Sequence, residues 1–434
     1  MAYQPKYAAK GKIKRAAPEA APQREAPERK PEKKTSKVTL VIFILLGIFV
    51  IPASVYLTGN MMLAMAKDFG RPKTAAVSKV QNMTILSDFE QSVTDAMDAA
   101  RAGLTATRGE APSGSTENPE TPQTEIEPVR KRYWIEDDVQ VAPEPNQNYY
   151  GETSDPSELQ WLLDEAKWLL DGQELYFSLD VELFEGSKVM YYLDDSIFAI
   201  TWKEVHDGSV YTFSEVKISD PSQFRRHLAG GEFGSDMQYM TTEMAESVNA
   251  VVASSGDFYR FRDFGICVYE GQVRRVEGTY AETCMIDKEG NLHFVRGGEL
   301  LKTEESQRYV DENNIWFSLC FGPILVEDSQ IVEHDWYGVG EIKEGYARAA
   351  LCQMDELHYI VATANTEGAY QDIPTVATFS KNIAATGCKM AYCLDGGQTA
   401  AIVMNDQLIN RPVYGTQRKI SDIIYFATAV PNGG

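Results

Sequence analysis

Hydrophobic and polar positions divide the chain into stretches of different character. Residues 1–37 show no hydrophobic period. From Val38 to Ala66 there is no charged residue, and 38–51 is almost wholly apolar. Roughly 20 such residues cross the hydrocarbon as a helix, so a transmembrane span is expected over 38–60. Helical spacing at Phe89, Val93 and Met97 predicts a juxtamembrane helix within 67–100. Residues 103–150 are rich in Thr, Glu, Pro, Ser, Gly and Asn and read as a flexible stalk, so 61–156 forms one connecting region. Order resumes near Ser157. Leu159, Leu162, Leu163, Ala166, Leu169 and Leu170 share one helical face, bounded by Pro156 and Gly172.

Beyond Tyr176 the pattern changes from helical spacing to short alternating or apolar runs. These predict strands at 189–193, 196–202, 209–218, 264–269, 271–276, 283–286, 292–295, 315–319, 323–326, 348–353, 357–362, 390–394, 399–403, 407–409 and 422–426. Helical spacing interrupts at 222–228, 240–250 and 375–386. Many strands, short turns and few helices predict one α+β domain over 157–434, built on mixed or antiparallel sheets.

Charge sharpens this division. The 434 residues carry a formal charge of −22. The first 37 hold eleven Lys/Arg against four Glu, so the rest is more acidic than the whole. A basic flank stays on the cytoplasmic side of a span. The expected topology is a disordered basic tail inside (1–37), one span and an extracytoplasmic domain. The acidic body excludes nucleic acid as a partner. Six cysteines, Cys267, Cys284, Cys320, Cys352, Cys388 and Cys393, form no zinc pattern. Disulfides and buried thiols both remain open. No metal or cofactor is implied.

The stretch 391–412 carries the candidate chemistry. The run Tyr392-Cys393-Leu394 ends in Asp395-Gly396-Gly397-Gln398-Thr399, and a second apolar run follows. The pattern reads as strand, tight glycine turn, strand. An acid at the end of a buried strand, beside glycines that admit another molecule to the backbone, suits an active site and equally a capped turn.

These residues, with others, resemble the phosphodiester glycosidase family over roughly 185–428. The matching blocks, in family order, are Val210 to Pro221, Met244 to Tyr259 with its Ser255-Gly256-Asp257-Phe258-Tyr259 end, Phe321-Gly322-Pro323, Ala347-Arg348-Ala349-Ala350, Leu394 to Thr399, and Arg418 to Phe426. Ser255 stands where the family usually has Asn, Gln398 where it has a third Gly, and Asn365-Thr366-Glu367-Gly368 lacks the usual Arg.

The resemblance implies a hydrolase of a sugar-1-phosphodiester, which, with the expected span, would be membrane-anchored and act on a cell-envelope or exopolysaccharide polymer. The alternative is a non-catalytic binder of phosphorylated glycans. It implies Asp395 as nucleophile or base, Asp257 as second carboxylate, and Arg348 with Arg418 as cations gripping phosphate. Arg348 lies among apolar neighbours and needs an anion, either the substrate or a carboxylate such as Asp422. Gly256, Gly396 and Gly397 would let phosphate approach the backbone. Ser255, Gln398 and Thr399 would bind hydroxyls or phosphate oxygens. Each has a plainer reading as a turn, loop or strand-pairing residue.

Overall fold

The computed structural model describes residues 131–277, 280–338 and 341–431. The basic tail, the expected span and the juxtamembrane helix lie outside the described residues. Among the described residues no helix is long and apolar enough to cross a membrane.

The largest sheet has nine strands. In spatial order they are Tyr150–Thr153, Val189–Leu193, Ile197–His206, Ser209–Ile218, His358–Asn365, Arg348–Asp355, Met390–Leu394, Ile324–Glu327 and Gln330–Ile331. A second sheet runs Gln407–Leu408, Ile402–Met404, Val252–Ser255, Asp422–Phe426, Phe224–Leu228. Leu292–Val295, Thr283–Asp287 and Ile315–Leu319 form a third, and Gly265–Tyr269 with Gln272–Glu277 a hairpin. All these pairings are antiparallel. Among the described residues four α-helices, Pro156–Leu170, Thr241–Ser247, Thr303–Glu312 and Val376–Ala384, complete an α+β architecture.

The nine-stranded sheet is covered on both faces. Tyr211, Phe213, Ile360, Ala362, Ala350, Cys352, Ala391 and Cys393 pack with the helices Pro156–Leu170 and Val376–Ala384. Their sequence neighbours Val216, Tyr359, Val361, Ala349, Leu351, Tyr392 and Leu394 point the other way. There they meet Val252, Ile402, Ile424 and Phe426 of the second sheet and Ile286 and Phe317 of the third. Strands buried on both faces need apolar residues at nearly every position, which is why the central runs are so continuous.

Several expectations are corrected. Residues 222–228 form no α-helix. A single 3-10 turn at Pro221–Gln223, capped by Asp220, leads into the strand Phe224–Leu228, whose inward positions are Phe224, Arg226 and Leu228. A charged residue at an inward position hides the two-residue period. The helix Thr303–Glu312 went unread because it buries little beyond Ser306 and Val310. The flexible stalk does not extend over 131–150. Ile135 and Ala142 are buried, with Val139 and Tyr133 packed beside them, against Met244, Ala253 and Tyr425. The Ile135 N–H donates to Ser222 Oγ (2.8 Å), Arg225 donates to Val139 O, and Asn249 donates to Ala142 O (2.8 Å). Residues 131–142 are thus a strap laid across the second sheet, and Tyr150–Thr153 adds an edge strand to the largest one. All six cysteines are buried free thiols.

Candidate functional site

The Asp395-Gly396-Gly397 turn does not join two strands of one hairpin. Met390–Leu394 belongs to the nine-stranded sheet and Ile402–Met404 to the second. The turn is the crossing between sheets, and the ends of both sheets meet there. The Asp395 N–H points at Gly256 O (3.4 Å), Ser255 Oγ donates to Asp395 O (3.3 Å), and the Ser255 N–H donates to Ala401 O (3.1 Å). Gly396 admits no side chain, because a Cβ would run into Ala347 O. Gly397 has φ +63° and its N–H donates to Ala347 O (2.7 Å).

At this junction lies a cavity of about 200 Å³, lined among others by Asp395, Arg262, Arg348, Arg418, Phe258 and Phe321. Gly396, Gly397, Gln398, Glu341 and Tyr346 also face it. Asp395 is 7% exposed. Burial pushes its carboxyl up to about 6, against the Thr399 hydroxyl and the Arg418 guanidinium, which favour the anion. Arg418 Nη2 lies 3.4 Å from Asp395 Oδ2.

The three guanidiniums differ. Arg348 is buried and donates from Nη2 to Glu341 O and Glu344 O (2.8 Å each), with Nε 3.5 Å from Pro374 O. Its expected partner Asp422 is elsewhere, so backbone carbonyls answer the charge, and burial lowers its pKa. Arg418 is half-exposed beside Asp395. Arg262 has no hydrogen-bond or ion-pair partner among the described residues; it lies over the rings of Phe258 (4.9 Å) and Phe321 (5.4 Å). Burial lowers its pKa, and Asp395 and Glu341 act in opposition.

Asp257 sits behind the cavity wall. Its carboxylate accepts from the Cys320 and Phe258 N–H groups (2.7 Å each), and its own N–H donates to Asp422 (3.1 Å). Asp422 is paired with Arg226 (Nε to Oδ2, 2.8 Å), which also donates to Ser318 O and lies 3.8 Å from Asp257 Oδ2. Burial raises the Asp422 carboxyl against the pull of Arg226. Burial equally opposes the guanidinium, but Asp422 and Asp257 override it and hold it cationic. Gly256 leaves no room for a Cβ beside Asp422. Ser255, Gly256, Asp257 and Thr399 are therefore all buried in the frame, with Thr399 Oγ1 donating to Gly396 O (2.6 Å). Gln398 faces the cavity but donates to Thr416 O (3.2 Å) and Thr416 Oγ1 (3.1 Å).

Sequence reasoning thus placed Asp395, Arg348, Arg418, Gly396, Gly397 and Gln398 on one cavity. It missed Arg226 and Arg262. The one available signal for Arg262 was its position among Phe258, Phe261 and Phe264, just beyond the Gly256-Asp257 pair.

Residues 248–427 match the phosphodiester glycosidase family. No curated protein matches the chain. Among solved structures, the zebrafish N-acetylglucosamine-1-phosphodiester alpha-N-acetylglucosaminidase catalytic domain, auto-inhibited by its pro-peptide, is 16% identical with a TM-score of 0.43, covering 60% of this chain and 93% of that one. A hypothetical protein from Synechocystis is 13% identical with a TM-score of 0.40, covering 56% of this chain and 64% of its own length. A putative exported protein from Burkholderia pseudomallei is 11% identical with a TM-score of 0.37, covering 51% and 74%. Asp395, Arg262, Arg348 and Arg418 all fall within the stretch that matches the phosphodiester glycosidase family model.

Proposed function

We propose that the domain is a hydrolase that cleaves a sugar-1-phosphodiester at the anomeric carbon. One observation carries this reading: a buried carboxylate, Asp395, shares a cavity with three guanidiniums. Cleavage of the C1–O bond passes through an oxocarbenium-like state, which a carboxylate stabilises directly or by activating water. The departing phosphate is a weak base and leaves without a strong acid. Arg262, Arg418 and the free edge of Arg348 neutralise it. Water supplies a hydroxyl to C1 and a proton to the products, giving free sugar and a phosphomonoester. The preferred setting is extracytoplasmic, with the domain anchored by the apolar stretch 38–60 and acting on a cell-envelope glycopolymer.

The second reading is a binder of phosphorylated glycans. It draws on Asp257, whose carboxylate is engaged by backbone N–H groups and leaves no second buried acid on the cavity wall. One assay separates the two. The protein is incubated with an N-acetylglucosamine-1-phosphodiester and free sugar is followed. Turnover lost by at least about 10²-fold in Asp395→Asn is expected. Binding without sugar release in the wild type leaves the binder. Topology has its own check: protease added outside intact cells cuts within 103–130 if the domain is extracytoplasmic.

A further inference from the structure

Gln398 is the residue at which the glycine turn departs from the usual family pattern, and its amide nitrogen donates to Thr416. It ties the 411–418 loop to the rim of the Asp395 cavity, which Arg418 then lines from the loop's far end. The short turns Gly397–Thr399 and Val413–Gly415 pack together there. At the apex of the tethered loop stands Tyr414. It is 88% exposed, the most exposed of the large hydrophobic side chains among the described residues, and its backbone is left-handed at φ +62°. A bulky non-glycine residue in that conformation is strained. An aromatic ring left in water on a strained, tethered loop gains nothing for folding.

We propose that Tyr414 is a sugar-stacking platform just beyond the cavity rim, so that the ligand is an extended glycan with a sugar past the first two resting on this ring. A flat ring presents an apolar face to the C–H face of a sugar and a hydroxyl to its polar edge. Gln398 is a positioning residue: it touches no sugar but fixes where the platform stands. The proposal rests on the hydrolase or binder reading of the Asp395 cavity and adds the length of what is bound.

The test uses Asp395→Asn protein, so that binding is read without turnover. Titration calorimetry compares an N-acetylglucosamine-1-phosphodiester dimer with an oligomer of about eight such units. Tyr414→Ala is expected to weaken the oligomer about five- to tenfold and leave the dimer unchanged, while Tyr414→Trp retains oligomer affinity. Gln398→Ala follows Tyr414→Ala. Tyr414→Gly removes the ring and accepts the backbone, so it melts no earlier than its parent yet shows the same loss. Oligomer affinity unchanged in Tyr414→Ala overturns the proposal, as does equal loss for dimer and oligomer. Binding of neither ligand overturns it too. Oligomer binding that depends on Tyr414, with no turnover by the wild type, overturns the hydrolase reading alone.

Discussion

At the scale of single residues, Asp395 carries opposite consequences for catalysis and stability. Its carboxyl ionises near pH 6 in the fold and near 3.8 when unfolded. A base or nucleophile must be ionised, so kcat/KM should rise with pH through an acidic limb centred on about 6. Stability runs the other way. The raised folded pKa favours the native state fully below about pH 4, and that contribution of about 3 kcal/mol is lost as pH rises through 6. Asp395→Asn should therefore be inactive, more stable than wild type at pH 7–8 by up to that amount, and nearly equal to it at pH 4. Urea unfolding at both pH values checks this; equal gains at both would show that ionisation is not the cause. Gly396→Ala, whose methyl runs into Ala347 O, should cost about 1–3 kcal/mol in the same measurement. Of these residues Asp395 was legible in the sequence, because an acid closing an apolar run beside two glycines is a local pattern. Arg262 was not: its role comes from Phe258 and Phe321, and Phe321 lies some sixty residues away in the chain.

At the scale of elements, the frame behind the junction is held through Arg226, Asp422 and Asp257, which tie neighbouring strands of the second sheet to one another and, through Ser318 O, to the third. Removing one partner of a buried ion pair leaves the other charge uncompensated. Arg226→Met should cost about 3–5 kcal/mol in denaturant unfolding. Arg226→Met with Asp422→Leu should recover part of it, since the two charges leave together. The double variant should still lose activity, because the Asp257 N–H then has no carboxylate to accept it. Most strands were legible, since runs such as 209–218 and 390–394 are apolar or alternating throughout. The Phe224–Leu228 strand was not, because Arg226 occupies an inward position that Asp422 and Asp257, both distant in sequence, make tolerable. Pairing order was also hidden. The Asp-Gly-Gly turn looks locally like a hairpin, and only the packing of two sheets turns it into a crossing between them.

At the scale of the molecule, the domain begins earlier than composition suggests. Pro and polar residues over 131–150 resemble a linker, yet Ile135 and Ala142 are buried and the backbone is hydrogen-bonded to the second sheet. A fragment of residues 131–434 should unfold cooperatively in calorimetry. One starting at 157 should melt at least several degrees lower, having lost the strap and the Tyr150–Thr153 edge strand. Equal melting points would mean that the strap contributes nothing to the fold. The strap also decides how the domain responds to force. A pull on the chain upstream of residue 131 is met first by Arg132 on Asp220 (3.1 Å), then by Ile135 on Ser222, Lys288 on Asp137 (2.8 Å) and Arg225 on Val139. These fastenings yield one after another, like stitches in a seam, before tension reaches any strand that holds Asp395, so a tugged domain pays out chain while its cavity keeps its shape.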